Sequence, residues 1–127
     1  MTIEWQDKYK IGNAEADASQ KALFELANEI MAEDDWIALR PKIIALFKQM
    51  QKQFDLEEAL MAQLAYPHAK AHAEAHHGLL MRLRDRSMDV GKGHMNKKAI
   101  VGVMSDWAAQ HVTNDDLQLA QALAVSA

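Results

Sequence analysis

Apolar residues recur along most of this chain at steps of three and four, the spacing that gathers them on one face of an α-helix. The first such stripe reads Gln20, Leu23, Ala27, Ile30, and predicts a helix from about Asp17 to Met31, after a break at Ile11-Gly12-Asn13. Glu33-Asp34-Asp35 interrupts the pattern and offers aspartates suited to cap the next helix. That second helix is expected to start between Trp36 and Pro41, since proline is tolerated in a first turn, and to run to about Leu64. Its stripe is Leu46, Met50, Gln53, Glu57, Leu60, Leu64, and Tyr66-Pro67 marks the boundary beyond it. A third helix carries His72, His76, Leu79 and Leu83 on one face and is expected to end before Gly91 and Gly93. The fourth spans about Asn96 to Asp116, with Ile100, Met104, Trp107 and His111 aligned, and residues 117–127 are helix-compatible.

Strand signals are nearly absent, and good helix formers dominate. Four helical segments with short connections imply antiparallel neighbours, hence an all-α, up-down-up-down four-helix bundle. The expected organisation is one domain over 1–127: an N-terminal arm at 1–16, the bundle at about 17–116 and a C-terminal extension at 117–127.

Composition narrows the chemistry. The chain has 127 residues, half of them apolar, enough to bury a core without staples. It has no cysteine, which excludes disulfides, iron–sulfur clusters and thiol nucleophiles, and leaves His, Asp and Glu as metal ligands. The formal net charge is −4 with both signs interspersed, so no basic face is available for nucleic acid. The charged N-terminus and the lack of a long apolar run lead to the expectation of a cytoplasmic protein with no membrane partner.

The stripes also carry polar residues where a plain bundle would have leucine. His72 and His76 are four apart and share a helix face; Glu57 and His111 lie on the apolar faces of two other helices. Burying such groups unpaired costs several kcal/mol each by order of magnitude, so they must satisfy one another or share a cation. Two of the remaining histidines read as ordinary, His77 pointing off the stripe and His94 lying among glycines; His68 falls either in a solvated first turn or, one turn before His72 on the same face, within reach of an adjacent site.

In order along the chain, these features resemble hemerythrins and bacterial hemerythrin-like domains. Trp5…Tyr9-Lys10-Ile11-Gly12…Asp17 is similar to that family's N-terminal arm. Gln53-Phe54-Asp55-Leu56-Glu57-Glu58-Ala59-Leu60-Met61 looks like its second-helix motif H-F-x-x-E-E-x-x-M. Tyr66-Pro67…His72-x-x-x-His76 and Trp107-x-x-x-His111-x-x-x-x-Asp116 look like its third and fourth motifs. The resemblance implies a non-haem di-iron centre, built from five histidines and two bridging carboxylates, that binds dioxygen reversibly. By position, His72, His76 and His111 match the histidines of one iron, and Glu57 and Asp116 match the bridging carboxylates. Asp116 is taken from the family pattern alone; on a regular helix Asp115 is better aligned with His111.

The match breaks at the second iron. Gln20 and Gln53 stand where the family has that iron's two histidines, and a neutral amide is a much poorer iron ligand than imidazole. The expectation is therefore a non-enzymatic metal-binding protein with an incomplete di-iron ligand set. It would hold one or two iron ions, with zinc also suited to the histidine site, and oxygen binding or sensing as its role. The alternative is a metal-free or vestigial bundle acting as an interaction module, with Gln20 and Gln53 as hydrogen-bonding partners of the core histidines and carboxylates.

Overall fold

The structure is a computed structural model, and it describes residues 3–91 and 97–126. It is an all-α four-helix bundle, with no strand among the described residues. A 3₁₀ turn at Asp7–Tyr9 precedes α1 (Ala14–Ala32), α2 (Trp36–Leu64) and α3 (Ala69–Gly91). The fourth rod is continuous but changes pitch: α4 (Lys97–Asp106), a π-helical segment (Trp107–Asp116) and α5 (Leu117–Ser126). Each helix packs on the next and α4 returns to α1, which closes the ring around one core. No helix is long and apolar enough to cross a membrane. The expected Gly93–His94 connection and the start of the fourth helix at Asn96 lie outside the described residues.

Local signals account for the helix ends. Helix α1 begins at Ala14, three residues before the sequence expectation, because Asn13 caps it by accepting the Ala16 amide at 3.0 Å. Asp17 is thus a first-turn residue, and it accepts the Ile11 amide at 2.7 Å to tie down the arm. Asp35 caps α2 through the Ile37 amide, which places Pro41 in the second turn rather than the first. Helix α2 ends on Ala65 at φ 51°, ψ 48°, with Tyr66 N–H donating to Met61 O and Ala65 N–H to Ala62 O. That pairing satisfies two terminal carbonyls, at the cost of a left-handed alanine. The Lys97 ammonium donates to the carbonyls of Met31 and Glu33, a cation at the carboxyl end of α1.

The main core gathers Leu23, Phe24, Ile30, Leu39, Leu46, Met50, Phe54, Leu83, Ile100, Met104 and Trp107. A smaller apolar cluster of Ile11, Ala16, Met61, Tyr66 and Leu119 closes the other end of the bundle and enlists α5 in the packing. The expected stripe needs one correction here. Leu60 and Leu64 are only half-buried against that small cluster, and Met61 takes the buried place, since a 3.6-residue period carries the stripe from Glu57 to 61. Leu79 is likewise half-buried. Between the two apolar clusters lies a layer of buried polar residues.

Candidate metal centre

Three rods deliver five side chains to that layer. Glu57 comes from α2, His72 and His76 from successive turns of α3, and His111 and Asp116 from the π-helical segment. All five are buried, and each offers one donor atom within 4.8 Å of the others. The focus is Glu57 Oε1, at 2.8 Å from His72 Nε2, 2.9 Å from His76 Nε2 and 3.5 Å from His111 Nε2. Asp116 Oδ1 lies 3.2 Å from His72 Nε2 and 3.1 Å from His111 Nε2. The structure therefore brings together the five residues singled out in the sequence, while His68 and His77 are exposed and apart from them.

The pitch change explains the five-residue step from His111 to Asp116. In a π-helix the backbone bonds run from i to i+5, so residues five apart stack on one face. Trp107–Asp116 adopts that wider coil, which turns both His111 and Asp116 inward and leaves Asp115 outside. On a regular α-helix Asp115 would have been the inward partner, as expected; here its Oδ2 accepts from His111 Nδ1 at 2.9 Å instead. Glu58 Oε2 pairs in the same way with His76 Nδ1 at 2.9 Å. Both carboxylates are partly exposed and fix the outer N–H of a buried imidazole, so each Nε2 is aimed inward, the usual arrangement around ligating histidines. Phe54 stacks face to face on His76, with ring centroids 3.8 Å apart, and limits its rotation further. The sequence signal for Glu58 was the Glu57-Glu58 pair itself; that for Asp115 was its four-residue spacing from His111, which on a regular helix aligns the two.

The side chains of this centre perturb one another's charge strongly. Burial alone would raise the Glu57 carboxyl, but hydrogen bonding from His111, His72 and His76 outweighs it and holds Glu57 well below the usual carboxylate range. Burial likewise works against the charged form of His72 and His111, yet the nearby Asp116 and Glu57 carboxylates push these imidazoles up to about 9 and about 10. Asp116 is raised, by its burial and by the negative charge of Glu57.

Two observations fit a cation at this point. No well-directed hydrogen bond reaches either carboxylate oxygen of Asp116 among the described residues, although both oxygens are buried. The inner nitrogens of His72, His76 and His111 also converge on one carboxylate oxygen, Glu57 Oε1, and those of His76 and His111 meet at 2.9 Å. A positive ion among these donors would satisfy the Asp116 oxygens and the converging nitrogens together, and nitrogen with carboxylate oxygen suits iron or zinc. The chain is similar to bacteriohemerythrin. It is 25% identical over 117 residues to the bacteriohemerythrins of Pseudomonas aeruginosa strains LESB58 and PAO1, covering 90% of this chain and 76% of theirs. The bacteriohemerythrin of Pseudomonas paraeruginosa strain PA7 matches with the same identity and coverage. No protein-family model matches the chain. The similarity and the buried Glu/His/Asp cluster together support a hemerythrin-like protein with a potential non-haem metal site.

The other side of the polar layer is built differently. Gln53 Nε2 donates to Glu57 Oε2 at 2.8 Å, with both residues buried. Gln20 Oε1 accepts the Trp5 indole N–H at 2.9 Å, so the arm reaches this layer from outside. Both amide orientations are dictated by chemistry, since a carboxylate only accepts and an indole only donates. Gln20 Nε2 and Gln53 Oε1 are buried without a hydrogen-bond partner among the described residues. A cleft of about 440 Å³ between α3 and the fourth rod, lined by Gly78, Arg82, Asp106 and Asp115 among others, reaches down to His111.

Proposed function

We propose that this chain is a hemerythrin-like, non-enzymatic protein of the cytoplasm that holds a single metal ion, iron in preference to zinc, at Glu57, His72, His76, His111 and Asp116. The observation that carries the reading is the convergence of three imidazole Nε2 atoms on a buried carboxylate pair, Glu57 and Asp116. Iron held there would supply a redox-active centre with affinity for dioxygen, and oxygen binding or sensing is the role this reading assigns. The chain's own part is to orient the donors. Glu58 and Asp115 hold the outer nitrogens of His76 and His111, Phe54 stacks on His76, and the apolar core above keeps bulk water away.

The metal-free reading draws support from one observation, that Gln53 does hydrogen-bond a core carboxylate. It leaves unexplained why the Asp116 carboxylate is buried beside His72 and His111 without a well-directed hydrogen bond among the described residues. Elemental analysis of protein purified without added metal, together with an anaerobic ferrous titration, decides between them. One ion per chain, lost in His76→Ala, supports the proposal. No ion in the unmodified protein supports the metal-free bundle.

A further inference from the structure

The two oxygens of Glu57 face different neighbours. Oε1 is surrounded by the three imidazoles, whereas Oε2 receives a hydrogen bond from the Gln53 amide one turn earlier on α2. We propose that Gln53 is the positioning residue that sets the number of ions at one: its amide N–H occupies the place on Glu57 Oε2 where a second cation would have to bind.

The argument begins with what a carboxylate accepts. Glu57 is fully buried, so each of its oxygens needs a donor or a cation. On Oε2 the need is met by a neutral N–H that cannot be lost to a base at ordinary pH. With Oε2 engaged, Glu57 presents Oε1 alone to the histidines, in a fixed rotamer. To bring its oxygen to the place of that N–H, the amide would have to turn over, setting the oxygen against Glu57 Oε2 and abandoning the bond. Gln20 does not compensate, because its own oxygen already accepts from Trp5. The Ser19–Gln49 hydrogen bond, 2.8 Å long, ties α1 to α2 next to Gln20 and one turn before Gln53.

This inference rests on the single-ion reading, and its test separates the two. Three proteins are titrated anaerobically with ferrous iron and, in parallel, with zinc, with ions per chain and affinity as the readouts: the unmodified chain, Gln53→Leu and Gln53→Glu. Thermal unfolding of each metal-free protein checks that it folds. The unmodified chain is expected to bind one ion. Gln53→Leu keeps the shape but removes the donor, and is expected to bind one ion about tenfold or more weakly, the scale of losing an outer partner of a ligand. Gln53→Glu sets a second carboxylate against Oε2 and is expected to take up a second divalent ion. Should the leucine variant be unfolded, the glutamate variant still decides. Failure of the unmodified chain to bind any ion overturns the single-ion reading and this inference with it. One ion in the unmodified chain, with the same count in folded Gln53→Glu, overturns the inference alone. Two ions in the unmodified chain overturn it as well, because Gln53 would then be no barrier.

Discussion

The two sides of the buried polar layer handle hydrogen in opposite ways. On the side of His72, His76 and His111, nitrogens and carboxylate oxygens crowd together within 4.8 Å, and the imidazole protons can be given up to a cation. On the side of Gln20 and Gln53, every amide hydrogen is permanent, and two of the amides' bonds are already made, to Glu57 and from Trp5. The first side can exchange protons for a metal ion; the second cannot. On the reading proposed above, one half of the bundle core would hold a cation while neutral amides occupy the other half.

The largest expected effect comes from breaking the histidine side. His76→Ala removes the imidazole that lies between Glu57 and His111, and metal affinity measured by competition with a chromophoric chelator should fall by well over the roughly hundredfold that loss of an outer partner can cost. Rebuilding the other side is the complementary change. Gln20→His with Gln53→His should raise iron uptake towards two per chain by elemental analysis, and either single change should do less than half as much, because the resemblance assigns both positions to the same ion.

Proton competition gives the next effect. The folded pKa values of His72 and His111, about 9 and about 10, lie above the ordinary imidazole value, so their contribution to metal-free stability is fully present below pH ~6.5 and is lost as pH rises through 9–10. Both imidazoles must shed a proton to coordinate. Metal affinity should therefore keep rising from pH 6 towards pH 9, and binding at pH 7 should release about two protons, measurable by calorimetry in buffers of different ionisation enthalpy. A flat affinity above pH 7 would show that the carboxylates do not hold these imidazoles charged. Smaller again are the outer carboxylates: Glu58→Gln or Asp115→Asn should weaken metal binding about tenfold without loss of fold, by titration and circular dichroism. Smallest is Gln20→Leu, which strands the Trp5 indole and should cost about 1 kcal/mol of stability in urea melts while leaving metal affinity unchanged.

Much of this arrangement was legible in the chain, because helical periodicity and burial are both local facts. The stripes through Leu23, Leu46, Met50, Leu83, Ile100 and Trp107 do face one core, and Glu57, His72, His76 and His111 were visible as polar residues on apolar faces. Asp116 was legible only through resemblance, since a period of 3.6 turns it outward, and nothing in the composition of Trp107–Asp116 announces a π-helix. The roles of Glu58 and Asp115 depend on which ring nitrogen each carboxylate reaches, and spacing along one helix does not specify that. The Trp5–Gln20 bond joins the arm to α1 across fifteen residues and depends on how the arm folds back. The extent of the small apolar cluster, with Leu119 in it, was hidden because residues 117–127 carry an apolar pattern without any polar chemistry to orient it.

The central claim is that the histidine side holds an ion and the glutamine side does not. Its most direct test is the count of iron atoms per chain in the unmodified protein after anaerobic ferrous loading and removal of loosely held metal, with protein concentration fixed by amino-acid analysis. The account predicts one. A count of two would mean that Gln20 and Gln53 take part as ligands, and a count of zero would mean that the five buried donors satisfy one another without a metal.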